Sequence, residues 1–377
     1  VSEGEVPQPA LVPGRLWHFT LRNRLAVAPM TRVSATDNGT PTAGMADHYQ
    51  AFAEGGFGLI ITEGTYTDSA YAQGYTNQPG IVTAAHTRGW STVTARIHAA
   101  GAAVFLQLTH AGALSQGNPH RPGVTAGPSP VRPRGEMRPE YGGTGPWPLP
   151  REMSLVDIRD ATRGFAEAAL RARTAGFDGV EIHAADGHLI DQFLTPRTNR
   201  RTDAYNGHTL SGRLRLLTHV ITHVRAAVGI DFLLGVRLSR TEVNDVEHSW
   251  DGPEEAREIF CAAAHAGASY LHIAVGSGDW PRTATLETGE SLTALARRTT
   301  GLPVIANGGM HDPSRARDVL TGGHADLLSL GRGALANPDL PRLLADGQSV
   351  GPVDHGMISP AAGPDNTAHR RTRHDRT

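Results

Sequence analysis

The chain is poor in cysteine; Cys261 is the only one. That excludes an internal disulfide, a cysteine-ligated iron–sulfur cluster and a four-cysteine zinc site, and it suits a reducing, cytoplasmic setting. Net charge is small, −2 at pH 7 with histidine neutral, so neither nucleic acid nor an anionic membrane surface is indicated as a partner. No apolar run nears the roughly 18 residues that would span a bilayer. The opening VSEGEVPQPALVPG lacks the basic start and apolar stretch of a secretory signal. Several motifs are missing too. No GxGxxG follows the first strand-like run, which weakens an open, doubly wound dinucleotide fold. No GxSxG elbow is present for a serine hydrolase. Nineteen histidines occur, yet none falls in a His-x-His or His-Glu-x-x-His pattern, and no metal site is expected. What remains is a chain of 377 residues, 39% of them hydrophobic, long enough to fill one α/β barrel with insertions.

Short apolar runs alternate with longer helical patterns along the chain. The runs are Arg24–Met30, Gly58–Gly64, Ala102–Thr109, Asp178–Ala184, Phe232–Ser239, Tyr270–Gly276, Pro303–Gly309 and Asp326–Gly333. Most are apolar on both faces, as parallel strands covered by helices outside and side-chain layers inside must be. Helical periodicity fills Ala43–Glu54, Ala84–Ala100, Leu155–Ala175, Arg213–Val228, Pro253–Ala266, Ser291–Thr299, Pro313–Leu320 and Asp339–Ala345. Ser154 and Asp157 form a capping-box pattern. Glycines 101, 176, 229, 267 and 301 stop helices just before strands. Eight such units predict a single closed (β/α)8 barrel over residues 1–349. A Pro/Gly-rich insertion, 110–153, follows the third strand and is expected to cap the active-site face. The segment 350–377, rich in Pro, Gly, His and Arg, reads as a disordered tail, with a basic docking tail as the lesser alternative.

In such barrels the chemistry lies at the C-terminal strand ends. Those ends bring polar groups to one rim: Met30, Thr31 and Arg32; Glu63 and Gly64; Gln107 and His110; His183, Asp186 and His188; Arg237; Gly276; and the glycines of NGGM (307–310) and LGRG (330–333). The last two segments have the makings of a phosphate cradle, with glycine N–H groups, a following helix and Arg332. Tight turns alone would explain the same glycines. A phosphate-binding lyase or isomerase stays open at this point, although no strand end carries the lysine that would favour it.

Several longer segments resemble the old yellow enzyme family of FMN-dependent NADH:flavin oxidoreductases and ene-reductases. They are NRLAVAPMTR (23–32), LIITEGTY (59–66), QGYTNQPGI (73–81), HAAGAAVFLQLTHAG (98–112), GFDGVEIHAADGHLIDQFLTPRTNRRTDAYNG (176–207), VIANGG (304–309) and LSLGRGALANPDLP (328–341). The resemblance implies FMN as cofactor, NADPH or NADH as reductant and a small organic substrate with an activated double bond. It makes Pro29, Met30 and Thr31 flavin contacts, with Thr31 near the C4 carbonyl and N5. Gly64 would approach the ring closely, and Gln107 would bond the pyrimidine edge. Arg237 would lie by N1 and the C2 carbonyl, where a fixed guanidinium stabilises the charge of the reduced flavin. Gly308, Gly309, Gly331 and Arg332 would hold the phosphate. Tyr66 and Trp280 are expected to line the substrate pocket, with Tyr141 and Trp147 reaching it from the insertion. The resemblance does not fix whether the chain is a monomer or a homo-oligomer.

The sequence departs from the family at the fourth strand. Familiar members place His-x-x-His or His-x-x-Asn there, followed by Gly-Tyr; this chain has His183-Ala184-Ala185-Asp186-Gly187-His188. An ionised carboxylate only accepts hydrogen bonds, so Asp186 opposes the enolate-like charge its counterpart stabilises. Three readings are open: a protonated Asp186, a base or a group for cationic or hydroxyl-bearing substrates, and a side chain turned to pair with a neighbouring His or Arg. His188 stands where the proton-donating Tyr stands, as a substitute acid or as pocket wall; Tyr66, Tyr71, Tyr141 and His110 are other donors. A divergent, specialised biosynthetic member is expected, acting by reduction, oxidation or isomerisation of one C=C or C=N bond. A flavin protein with little turnover is the remaining alternative. At NGHTLSGR (206–213) Gly212 replaces the family's Asn, and only a local loop change is expected.

Overall fold

The structure, a computed structural model, describes residues 8–242, 244–245, 250–275, 280–359 and 361–367, the side chains of 281, 282 and 355 excepted. Eight parallel strands close a barrel: β3 (Leu25–Val27), β4 (Leu59–Ile61), β6 (Ala103–Thr109), β9 (Gly179–Ala184), β10 (Leu233–Ser239), β11 (Tyr270–Ala274), β12 (Val304–Asn307) and β13 (Leu327–Leu330). Pairing runs β3–β4–β6–β9–β10–β11–β12–β13 and returns from β13 to β3. Most strands end before their apolar runs do. Beyond Val27, Ile61 and Asn307 the chain leaves the sheet, and those freed tips build the rim. Gly276 lies outside the described residues.

Two apolar layers hold the barrel. The larger lies between the strands and the surrounding helices, among them Ala43–Glu54, Ala84–Ala99, Leu155–Thr174 and Leu210–Val228. The Leu155–Thr174 helix starts as its sequence dictates: Ser154 Oγ accepts from the Asp157 N–H, and Asp157 Oδ2 accepts from the Ser154 N–H at 2.7 Å. The smaller layer is the barrel lumen, filled by Ala26, Leu59, Ile61, Phe105, Leu233, Tyr270, Ile305 and Leu327. A hairpin of β1 (Gly14–Leu16) and β2 (Phe19–Leu21) closes the bottom with Leu16 and Leu21, while β7 (Ala126–Gly127) and β8 (Arg151–Glu152) pair apart from the barrel, within the insertion. No periodic signal announces strands of three residues, and the sequence reading missed this plug.

The C-terminal segment departs from expectation. Disorder was expected from 350 on, but Thr367 is buried and Arg32 Nη2 donates to Gly363 O at 2.7 Å and to Thr367 Oγ1 at 2.5 Å. Polar composition concealed a segment that docks through a few small residues and one buried arginine. Residues 368–377, most of the basic end, lie outside the described residues. Among the described residues no helix is long and apolar enough to cross a membrane.

Candidate active site

Side chains alternate along each strand, so every strand sends one line of residues up the lumen. The lower positions are apolar. The upper positions are polar: Gln107 on β6, Glu181 and His183 on β9, Arg237 on β10, His272 on β11, Asn307 on β12 and Ser329 on β13. Register places Arg237 beside both His183 and His272.

Above this layer opens a cavity of about 690 Å³, whose walls include Pro29, Met30, Thr31, Gly64, Gln107, His183, Asp186, His188 and Arg237. A second cavity of about 410 Å³ is walled by Gly308, Gly309, Gly331 and Arg332, with Asn307, Ser329 and His311. Gly331 and Arg332 border both, so the two form one trough along the rim. Gly308 has φ 129°, and a Cβ there would sit 2.3 Å from Val275 Cγ2. A Cβ on Gly64 would crowd Thr109 and come within 3.4 Å of Gln107 Oε1. A planar ring with a phosphorylated tail fits such a trough: bare backbone at one end, convergent polar side chains at the other.

At the tip of β9 the chain turns sharply. Asp186 (φ 60°) and Gly187 (φ 80°) both adopt the left-handed conformation, which Asp and Asn tolerate best among non-glycine residues. The turn is pinned by Asp186 N–H to Ser239 Oγ and Gly187 N–H to Asp191 Oδ2, each 2.8 Å. Asp186 Oδ2 then lies 3.9 Å from both Arg237 Nε and His183 Nε2. That geometry resembles the third reading, a carboxylate leaning on its cationic neighbour, while its side chain stays on the cavity wall. His183 Nε2 and His188 Nδ1 are 3.1 Å apart. Burial, then His188, Arg237 and His272 close by, which would repel a second positive charge, hold His183 well below the usual histidine range, and burial lowers His188 as well. Neither is poised as an imidazolium near neutral pH. His183 Nδ1 is buried with no hydrogen-bond partner among the described residues.

Two expected pocket residues lie elsewhere. Tyr66 is on a short strand, β5 (Thr65–Tyr66), whose alternation turns it outward; its hydroxyl donates to Asn38 O at 3.1 Å. Burial pushes that hydroxyl up to about 12. Trp280 opens a short helix, Trp280–Ala284, and packs behind Gly308 against the His324 ring at 5.4 Å. Tyr71 and His110 also face away, His110 toward Asp68 at 3.4 Å. Tyr141 and Trp147 do line the cavity from the insertion. Among the described residues no cluster of His, Cys, Asp or Glu is arranged to hold a metal.

Sequence reading missed Tyr75, Arg138, Glu140 and Asn244 from the loops, and Ile358 and Ala362 from the C-terminal segment, all on the cavity wall. Tyr75 belongs to the QGYTNQPGI segment, so a signal existed. Its hydroxyl lies 3.4 Å from Thr31 Oγ1, and its ring is 5.5 Å from that of Tyr141.

Beside the site, Glu63 is fully buried. It accepts from the Arg32 N–H at 2.9 Å and from the Tyr49 hydroxyl at 3.2 Å. Burial dominates and raises its carboxyl to about 7. A folded-state value above the unfolded one means that folding opposes ionisation. Stability is therefore full below about pH 4.5, falls as pH rises to about 7, and is flat above. Glu63→Gln should raise stability at pH 8 by about 3 kcal/mol relative to its effect at pH 4. Thermal melts at the two pH values check this, and an equal shift at both would contradict it.

Comparison with known proteins agrees with the geometry. Residues 12–350 match the NADH:flavin oxidoreductase / NADH oxidase family. The chain is 35% identical to chanoclavine-I aldehyde reductase fgaOx3 of Penicillium roqueforti over 352 residues, 92% of this chain and 91% of that protein. It is 32% identical to NADH oxidase of Thermoanaerobacter brockii over 341 residues, 89% of this chain, and spans 50% of that protein's length. Morphinone reductase in complex with tetrahydroNAD superposes with a TM-score of 0.82 at 30% identity, covering 93% of each chain. The old yellow enzyme homologue of Zymomonas mobilis gives 0.83 at 30% identity, covering 95% of this chain and 98% of that one. With its trough, its rim and these likenesses, the chain belongs to the NADH:flavin oxidoreductase / NADH oxidase family, as an FMN-dependent oxidoreductase of the old yellow enzyme group.

Proposed function

We propose that the enzyme uses NADH or NADPH to reduce an activated C=C or C=N bond of a small organic substrate, in a specialised biosynthetic step. Support comes above all from the continuity of the trough, which joins glycine backbone at the tips of β12 and β13 to Gln107, His183 and Arg237 across the rim. Bound FMN would supply hydride chemistry, accepting from the nicotinamide and donating to the β-carbon of the substrate. Gly308, Gly309, Gly331 and Arg332 would hold its phosphate. Pro29, Met30, Thr31 and Gly64 would seat the ring, and Gln107 and Arg237 would meet the pyrimidine half. The sequence contains no lysine at all, which removes Schiff-base chemistry from the lyase alternative.

His183 binds the substrate's activating group. Asp186 adds an acceptor, so it favours substrates bearing their own hydroxyl or N–H. His188 orients His183, and Tyr75 delivers the proton to the α-carbon. Oxidation or isomerisation with Asp186 as base is the second reading, favoured by the placement of its carboxylate on the cavity wall.

Two experiments test this. Anaerobic NADPH or NADH should bleach the yellow protein, and cyclohexenone should restore the colour; a protein that bleaches but never reoxidises with any conjugated acceptor contradicts a reductase. Tyr75→Phe should lower substrate reduction by about 10²-fold or more, the usual weight of a general acid. Bleaching by the nicotinamide should stay near wild type. If Tyr75→Phe turns over normally and His188→Phe does not, the proton comes from His188.

A further inference from the structure

The upper lumen holds one connected hydrogen-bond network, none of it needed to make a barrel. Glu181 and His272 are fully buried. Gln107 Nε2 donates to Glu181 Oε1 at 2.9 Å. The Tyr270 hydroxyl donates to Glu181 Oε2 at 3.1 Å, and His272 Nδ1 lies 2.9 Å from the same oxygen. Arg237 Nη1 is 2.7 Å from His272 Nε2 and 3.2 Å from its Nδ1. Ser329 Oγ is 2.7 Å from His272 Nε2 and accepts from Asn307 Nδ2 at 3.0 Å.

Donor bookkeeping fixes the polarity. An arginine can only donate and a carboxylate can only accept, so His272 gives its Nδ1 proton to Glu181, and its Nε2, the nearer ring nitrogen to Arg237, accepts. Ser329, which accepts from Asn307, gives its own proton to His272. Every bond thus runs toward Glu181. Burial alone would raise its carboxyl, but His272, Arg237 and Gln107 outweigh burial and hold it below the usual range. Glu181 is the anion of this lumen, and Arg237 the cation. A Tyr270 ring this deep needs Gly235 opposite, where a Cβ would sit 2.0 Å from the ring.

Glu181 touches neither cavity, yet both of its outlets do. With its amide nitrogen tied down, Gln107 directs Oε1, an acceptor, toward Gly64 and the cavity. Through neutral His272, Glu181 also fixes the plane of the Arg237 guanidinium. We propose that Glu181 is a positioning residue that sets the hydrogen-bonding face the barrel offers to the pyrimidine half of FMN, an acceptor from Gln107 beside a cation from Arg237, and thereby sets both the affinity for oxidised FMN and the flavin's reduction potential. This rests on the cofactor roles proposed above for Gln107 and Arg237.

The sign follows from the polarity. Glu181→Gln removes the lumen's negative charge and frees the Gln107 amide to turn. An acceptor for the N3–H of oxidised FMN is lost, while Arg237 gains weight toward the more negative reduced form. Apoprotein titrated with FMN should bind oxidised cofactor about tenfold more weakly than wild type, and an unchanged affinity for the reduced form then raises the potential by ~30 mV. A folded variant with wild-type affinity and potential overturns the proposal. Glu181→Asp, which keeps the charge but cannot span Gln107 and His272, covers the case in which the first variant fails to fold. Its loss of affinity should shrink to under twofold in a Gln107→Leu background; an equal loss with and without Gln107 also overturns it. Wild-type apoprotein is the control, because its failure to take up FMN would sink the cofactor site and not the role of Glu181.

Discussion

Gly308→Ala protein should purify colourless or nearly so, with FMN bound about 100-fold more weakly than in wild type; each tenfold corresponds to about 1.4 kcal/mol. The added methyl would overlap Val275 Cγ2, 2.3 Å away, on a backbone held at φ 129°. The left-handed region costs an alanine about 1–2 kcal/mol, and overpacking adds about 1–3 kcal/mol. Gly308 lies past the last residue of β12, so the sheet need not distort to relieve the strain. The cradle moves instead, and its backbone N–H groups no longer converge on a phosphate. Apoprotein stability should change little. Fluorescence titration with FMN, alongside thermal melting of apoprotein, separates the two effects. Near-normal FMN affinity would place the phosphate elsewhere.

Asp186→Asn should raise kcat/KM for a simple enone such as cyclohexenone by about 10²-fold, because one well-placed donor to such an oxygen is worth about 3–4 kcal/mol. The substitution is favourable ground for a test. Asn accepts the φ of 60° as readily as Asp, and the backbone bond from residue 186 to Ser239 does not involve the side chain. What changes is the end of the side chain, from two acceptors near Arg237 and His183 to one acceptor and one donor. Activity on the natural substrate should fall, because that substrate is expected to donate to the carboxylate. If cyclohexenone reduction stays within twofold of wild type, Asp186 only closes the β9 turn.

How far the sequence reaches is visible in particular residues. Short apolar runs marked all eight barrel strands, most of them apolar on both faces because burial on two faces demands it. The helix over Ala43–Glu54 ends where its pattern ends. Strand tips carried Gln107, His183 and Arg237 to one rim because barrel closure fixes where tips go. Tyr66 and Trp280 went wrong for a shared reason. Tyr66 sits on the two-residue β5 and Trp280 opens a short helix beyond β11, and neither stretch carries a periodicity that says which way a side chain turns. Tyr75 and the C-terminal Ile358 and Ala362 reach the cavity from loops, through contacts distant in sequence. Asp186 is the instructive case: its chemistry was legible as an anomaly, but the left-handed turn that favours Asp or Asn there was not.

The most direct test of the central claim is to follow one hydride. Nicotinamide cofactor carrying deuterium at the transferable C4 position, supplied anaerobically with a conjugated enone, should place deuterium on the β-carbon of the product, with the α-hydrogen drawn from solvent. Product that forms without deuterium at the β-carbon, or yellow protein that neither bleaches nor yields product, would contradict it.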